Sequence, residues 1–186
     1  MISPDQGRGN DFAPTSFLSI FFRTAKAILF SPKLFYERME TEGGLRNPTI
    51  FLACCVLIHS LIIGLVCQKQ ILIILNIVGG VGMPFVTAGI LFLIITRLFK
   101  ASGTYEATFR VNAYAAATAL FSWIPLVGFF LECYRLYLIV IGLSRVFSIR
   151  TSRAVLAMVI TIIIYIAVLG PIIAHIVGSP VPGAAP

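Results

Sequence analysis

PTIFLACCVLIHSLIIGLVC, Pro48 to Cys67, is the stretch that decides the fold. Its 20 residues include no Asp, Glu, Lys or Arg, and one histidine, His59. At a rise of ~1.5 Å per residue, such a helix crosses the ~30 Å hydrocarbon core of a bilayer. Working outward, similar runs occupy 77–99 within Ile71 to Phe99, then 108–124, 126–143 and 154–177, the last expected to be interrupted at Gly170-Pro171. In lipid every backbone polar group must be satisfied internally, so each run is read as a helix. The expected fold is an all-α integral membrane protein, a five-helix transmembrane bundle spanning 47–178.

The basic residues orient this plot. Arg8 to Arg46 holds six, Arg97 to Arg110 three, and Arg145 to Arg153 three. The intervening loops hold Lys69 alone, and Arg135 lies inside an apolar run. Cytoplasmic loops retain Lys and Arg near span ends, which places the N-terminus in the cytoplasm and the C-terminus outside. The third run has seventeen residues, the lower limit for a crossing. Without it Arg145, Arg150 and Arg153 would face outward and break the charge rule, so the crossing is retained. Ala113, Ala115, Ala116, Ala117 and Ala119 suit a helix packed tightly among others.

Hydrophobic residues make up 59% of the chain and charged residues 11%, against about 25% charged in a soluble domain. The net charge of +7 does not point to nucleic acid, because the cations flank spans instead of forming one face. Anionic lipid headgroups are the expected partners. Residues 1–14 and 179–186 are expected to be flexible. The segment 15–46 is expected to be amphipathic and helical. Phe17, Phe21 and Ile28 recur at helical spacing, with Arg23 and Lys26 toward another side. It lies in the interface with its rings in the acyl boundary, packs on the cytoplasmic face of the bundle, or does both. Ser31-Pro32 is a start signal for a short helix through Met39. Arg23 and Lys26 interrupt the first apolar stretch, so no cleavable signal peptide is expected. Cys54, Cys55, Cys67 and Cys133 read as small buried apolar residues.

Ala27-Ile28-Leu29-Phe30-Ser31-Pro32-Lys33-Leu34-Phe35-Tyr36, followed by Gly43-Gly44-Leu45-Arg46-Asn47-Pro48, resembles the opening of bacterial members of the YIP family, the Ypt/Rab-interacting-protein membrane domain. Three later stretches are similar to family motifs in the same order: Phe109-Arg110-Val111-Asn112-Ala113-Tyr114-Ala115, Ile124-Pro125-Leu126-Val127-Gly128, and Tyr137 to Leu143 with Arg153-Ala154. The resemblance runs from about residue 17 to residue 177. It implies a five-span bundle with a cytoplasmic N-terminus and an external C-terminus. Eukaryotic members are associated with Rab GTPases and with Golgi and endoplasmic reticulum trafficking. This chain lacks their aspartate–leucine–tyrosine–glycine–proline motif before span one, which argues against a Rab GTPase partner. The bacterial character of the opening implies a bacterial cytoplasmic membrane.

Glu132 and Arg135 lie three apart and share a helical face. Counted from Leu126, Arg135 sits ~14 Å into the membrane, where a charge costs ~2.5–3.5 kcal/mol on the lenient insertion scale. The pair reads either as a gate, relay or headgroup site, or as an ion pair that sets helix register. His59 and Tyr165 fall at similar depth, so His59, Glu132, Arg135 and Tyr165 form a candidate polar cluster. Alone, His59 reads as a hydrogen bond between helices. Arg110, Asn112 and Tyr114 open span three. With Arg23 and Lys26 they are candidate contacts for lipid headgroups, or else a snorkelling cation and interhelical hydrogen bonds. Gly79-Gly80-Val81-Gly82 lacks the following Lys-Ser or Lys-Thr of a phosphate loop, and no nucleophile elbow or metal-ligand spacing is present. No enzyme activity and no cofactor are therefore expected. The reading is a non-enzymatic membrane protein that organises lipids, partner proteins or copies of itself. The rival is a small transporter or channel using Glu132 and Arg135.

Overall fold

The computed structural model describes residues 17–68 and 70–178. The expectations for 1–14 and 179–186 fall outside them. Helices α1 (Phe17–Phe30) and α2 (Pro32–Arg38) precede α3 (Arg46–Cys67) and α4 (Gln70–Leu93), which continues as a π turn, Ile94–Leu98. Next come α5 (Tyr105–Ala115), which tightens into a 3-10 turn, Ala116–Leu120, then α6 (Val127–Val146) and α7 (Thr151–Gly178). The described residues contain no strand. Among the described residues four stretches are long and apolar enough to cross a membrane: Arg46–Cys67, Ile73–Leu98, Val127–Val146 and Thr151–Val168.

The third expected span differs most from its sequence reading. Its helix begins at Tyr105 and ends at Leu120, instead of running from 108 to 124. Thr104 sets the start, its side chain accepting from Ala107 N at 3.2 Å, while Glu106 complements the positive end of the helix dipole. Eleven α residues and five of the more extended 3-10 form reach ~27 Å. Residues 107–118 are all buried, enclosed by α3, α4 and α6. A helix walled by protein can carry Thr108, Arg110, Asn112 and Thr118 because neighbouring groups, not lipid, satisfy them.

Two further expectations are corrected. Pro171 does not interrupt the last helix, which runs on to Gly178, as helices in lipid tolerate the missing donor when their other bonds persist. Ser31 precedes Pro32 as expected, but its side chain makes no capping bond. At φ −140° and ψ 54° its carbonyl accepts Phe35 N instead, at 3.0 Å.

The amphipathic pair α1 and α2 packs on the bundle. Phe21 and Ile28 turn inward, and Phe35 and Tyr36 of α2 seat against α6. Their rings join Phe51 and Tyr114, with successive centroids 5.2–5.3 Å apart. Gly142 makes this seat possible, since a Cβ there would lie 2.5 Å from Val111 Cγ1 and 3.1 Å from Tyr36 Cε1. Burial pushes the Tyr36 phenol far above its ordinary value, and its hydroxyl donates to Val111 O at 3.4 Å. The loops after α2, α4 and α6 converge at one end, where Thr41, Ser102, Thr104 and Val146 line a common hollow. Arg46, Arg97, Lys100, Arg145, Arg150 and Arg153 gather near that end, hereafter the basic end.

Candidate functional site

Three helices and the buried α5 meet in a polar groove. Thr87 of α4, Asn112 of α5, Glu132 and Arg135 of α6, and Thr161 and Tyr165 of α7 line a cavity of about 280 Å³. Tyr165 Oη and Thr87 Oγ1 share a hydrogen bond of 2.7 Å, which ties α7 to α4. Thr87 also donates to Met83 O at 2.8 Å, Thr161 to Ala157 O at 2.8 Å, and Asn112 Nδ2 to Thr108 O at 3.0 Å. Arg135 Nη1 lies 3.7 Å from Glu132 Oε2, a loose, single-point pair. The side chains are 30% exposed for Arg135 and 57% for Glu132. Counted along α6 from Val127, Glu132 lies ~8 Å and Arg135 ~12 Å from the end of the helix. The pair thus stands well inside α6, a helix long and apolar enough to cross a membrane, without being enclosed by protein.

Of the four residues expected to cluster, the groove collects Glu132, Arg135 and Tyr165. His59 lies elsewhere. Its Nδ1 is 3.1 Å from Ala119 O and 3.2 Å from Ser122 Oγ, which pins α3 to the end of the 3-10 turn. The facing of α3 separates it from the others, and depth counted along a helix carries no facing. Asn112 joins the groove, a placement that sequence reading missed.

Arg110, Asn112 and Tyr114 are all buried, so the expected headgroup contact at these three is corrected. They sit on the central helix, where Arg110 and Tyr114 pack against neighbouring elements and Asn112 borders the groove. Arg110 is 1% exposed, with Nε 3.1 Å from Glu106 Oε1. Its Nη1 and Nη2 donate to Glu40 O and Gly44 O, each at 2.9 Å. Gly44 N donates to Glu106 Oε1 at 2.6 Å. This clamp holds the loop after α2 on the start of α5. Gly43 (φ 114°) and Gly44 (φ 89°) supply the left-handed turn that brings the loop's carbonyls to the guanidinium. The i,i+4 spacing of Glu106 and Arg110 was the legible signal for half of it. A second tie, Arg145 Nη1 to Glu37 Oε1 at 2.7 Å, fastens α2 to the end of α6.

Arg23 and Lys26 are exposed on α1, as are Phe17, Leu18, Phe22 and Phe30. Between α1 and the turn that joins α5 to α6 lies an apolar recess of about 780 Å³, with Phe22, Leu29, Ile58, Phe121 and Leu131 in its walls and Lys26 beside them. Tyr134 completes the wall by donating to Leu29 O at 2.7 Å. Among the described residues no three or more His, Cys, Asp or Glu side chains are placed to share a metal ion.

A family model for the Yip1 domain matches residues 26–172. No curated protein and no solved structure matches the chain. The match covers most of the sequence, and the chain belongs to the Yip1-domain family, a family of membrane proteins.

Proposed function

We propose that this Yip1-domain protein is a non-enzymatic organiser of membrane lipids, with α1 as its working surface. One observation carries the reading: α1 is two-faced in a way that a purely structural helix need not be. Phe21, Ala25 and Ile28 anchor it to the bundle, while Phe17, Leu18, Phe22 and Phe30 stay exposed beside Arg23 and Lys26. Exposed rings next to exposed cations match the acyl boundary and anionic headgroups of one leaflet. The recess above α1 adds an apolar wall for an acyl chain. Partner proteins or a second copy would use the same exposed face.

The proposed topology has five crossings, with the N-terminus in the cytoplasm of a bacterial cell and the C-terminus outside. Convergence of three loops at the basic end supports it. Between those loops the chain must go out and back, and α5 is the only outward path between α4 and α6. Basic loops favour the cytoplasmic side.

The test is lipid retention. Full-length protein is extracted from vesicles of phosphatidylcholine and phosphatidylglycerol, and the retained lipid is identified by native mass spectrometry. A basic residue near an anionic surface contributes about 1 kcal/mol, so Arg23→Gln with Lys26→Gln should lower phosphatidylglycerol retention about thirtyfold. Unchanged retention removes α1 as the working surface. The second reading, a small transporter or channel, draws on the polar groove and the half-exposed Glu132–Arg135 pair.

A further inference from the structure

The Glu132–Arg135 pair poses a cost that the fold itself does not offset. A charge at membrane depth is tolerated when protein, water or another charge surrounds it. Here the carboxylate is more than half exposed and meets the guanidinium at one point, 3.7 Å away. Hydroxyls from Thr87 and Tyr165 line the groove beside buried Ile139 and Met158, while exposed Met83, Leu136 and Ile162 border its opening. These apolar residues lie on α4, α6 and α7, three helices able to cross a membrane, so the opening faces the acyl region. A ligand entering by that route must itself be a lipid, with a polar group for the interior and chains for the rim.

From this juxtaposition we infer that the groove binds the headgroup of a zwitterionic phospholipid bearing a primary amine, of the phosphoethanolamine kind. Its phosphate faces Arg135, whose planar fork matches phosphate oxygens. Its ammonium faces Glu132 and donates hydrogen bonds to the carboxylate. The two charges of the ligand answer the two charges of the groove. An anionic headgroup without an amine would leave Glu132 facing negative charge. A choline headgroup has no N–H to donate. The cavity of about 280 Å³ suits a headgroup, not a whole lipid. This site is separate from α1, and its test reads the amine, whereas the α1 test reads anionic charge.

The experiment needs no variant to begin. Full-length protein is reconstituted in vesicles of equal parts phosphatidylethanolamine, phosphatidylcholine and phosphatidylglycerol, and retained lipid is read by native mass spectrometry. Vesicles carrying the mono- and dimethylated ethanolamine lipids follow. Retention should fall stepwise with methylation, reaching about tenfold between the primary amine and choline, the worth of a charge-assisted hydrogen bond. Glu132→Gln should erase that preference, and Arg135→Gln should lower retention of every phospholipid at this site. Equal retention across the methylation series overturns the proposal, whatever the variants do. So does a dimer that depends on Glu132 and shows no headgroup preference, which would make the groove a contact between copies. Displacement of the lipid by soluble phosphoethanolamine would also overturn it, by showing that the groove opens to water.

Discussion

Among the described residues Arg110 is the one charged side chain that is buried, and the clamp around it spans distant parts of the chain. Its carbonyl partners lie 70 and 66 residues away, at Glu40 and Gly44. Removing Arg110 leaves two carbonyls and the part-buried Glu106 without their donor, at a cost of about 1–3 kcal/mol. Arg110→Ala should therefore lower the thermal unfolding temperature in detergent and expose the 40–45 loop to protease. Arg110→Lys should rescue little, since a point charge cannot reach Glu106 and two carbonyls together. A variant as stable as the parent would show the clamp to be incidental. Glu106–Arg110 was half-legible as an i,i+4 pair, but the carbonyls were not, because no local pattern announces a contact over such a separation. Two stretches that carried the family resemblance separately, Gly43-Gly44 and Arg110, prove to be parts of one clamp.

At the scale of elements, close approach is set by glycine. Gly142 brings α6 against α2 and α5 at once, with Val111 and Tyr36 filling the space a Cβ would need. Gly142→Val should cost about 1–3 kcal/mol by overpacking. Gly79 has nothing within 4 Å of a built Cβ, and Gly79→Ala should be neutral within about 0.5 kcal/mol or slightly stabilising. Paired unfolding curves in one detergent check both, and equal losses would refute the packing argument. Sequence composition does not separate these two glycines, since the distinction lies in what faces each one. The same limit explains α5. Its alanines were legible as a tightly packed helix, whereas its early end and 3-10 turn follow from the neighbours that enclose it.

For the whole molecule, the question is which way the chain passes through the membrane. Phosphatase fused after Phe99 or Arg150 should be inactive in a bacterial host, and phosphatase fused after Gly178 should be active. Activity at either of the first two sites would sink the five-crossing topology. The structure bears on this through the basic end, where loops far apart in sequence share one hollow.

The sequence by itself determined the helical class, the membrane solvent and the family, because those depend on run length, apolar content and the order of short motifs. Uncharged runs of about 20 residues have one stable form in lipid, a helix. Only the tertiary structure decided which polar residues meet. It turned Arg110 inward, sent His59 to the 3-10 turn, and gathered Asn112, Glu132, Arg135 and Tyr165 along one groove. Periodicity reports depth along a helix axis, whereas facing is set by the rotation each helix adopts to pack its neighbours.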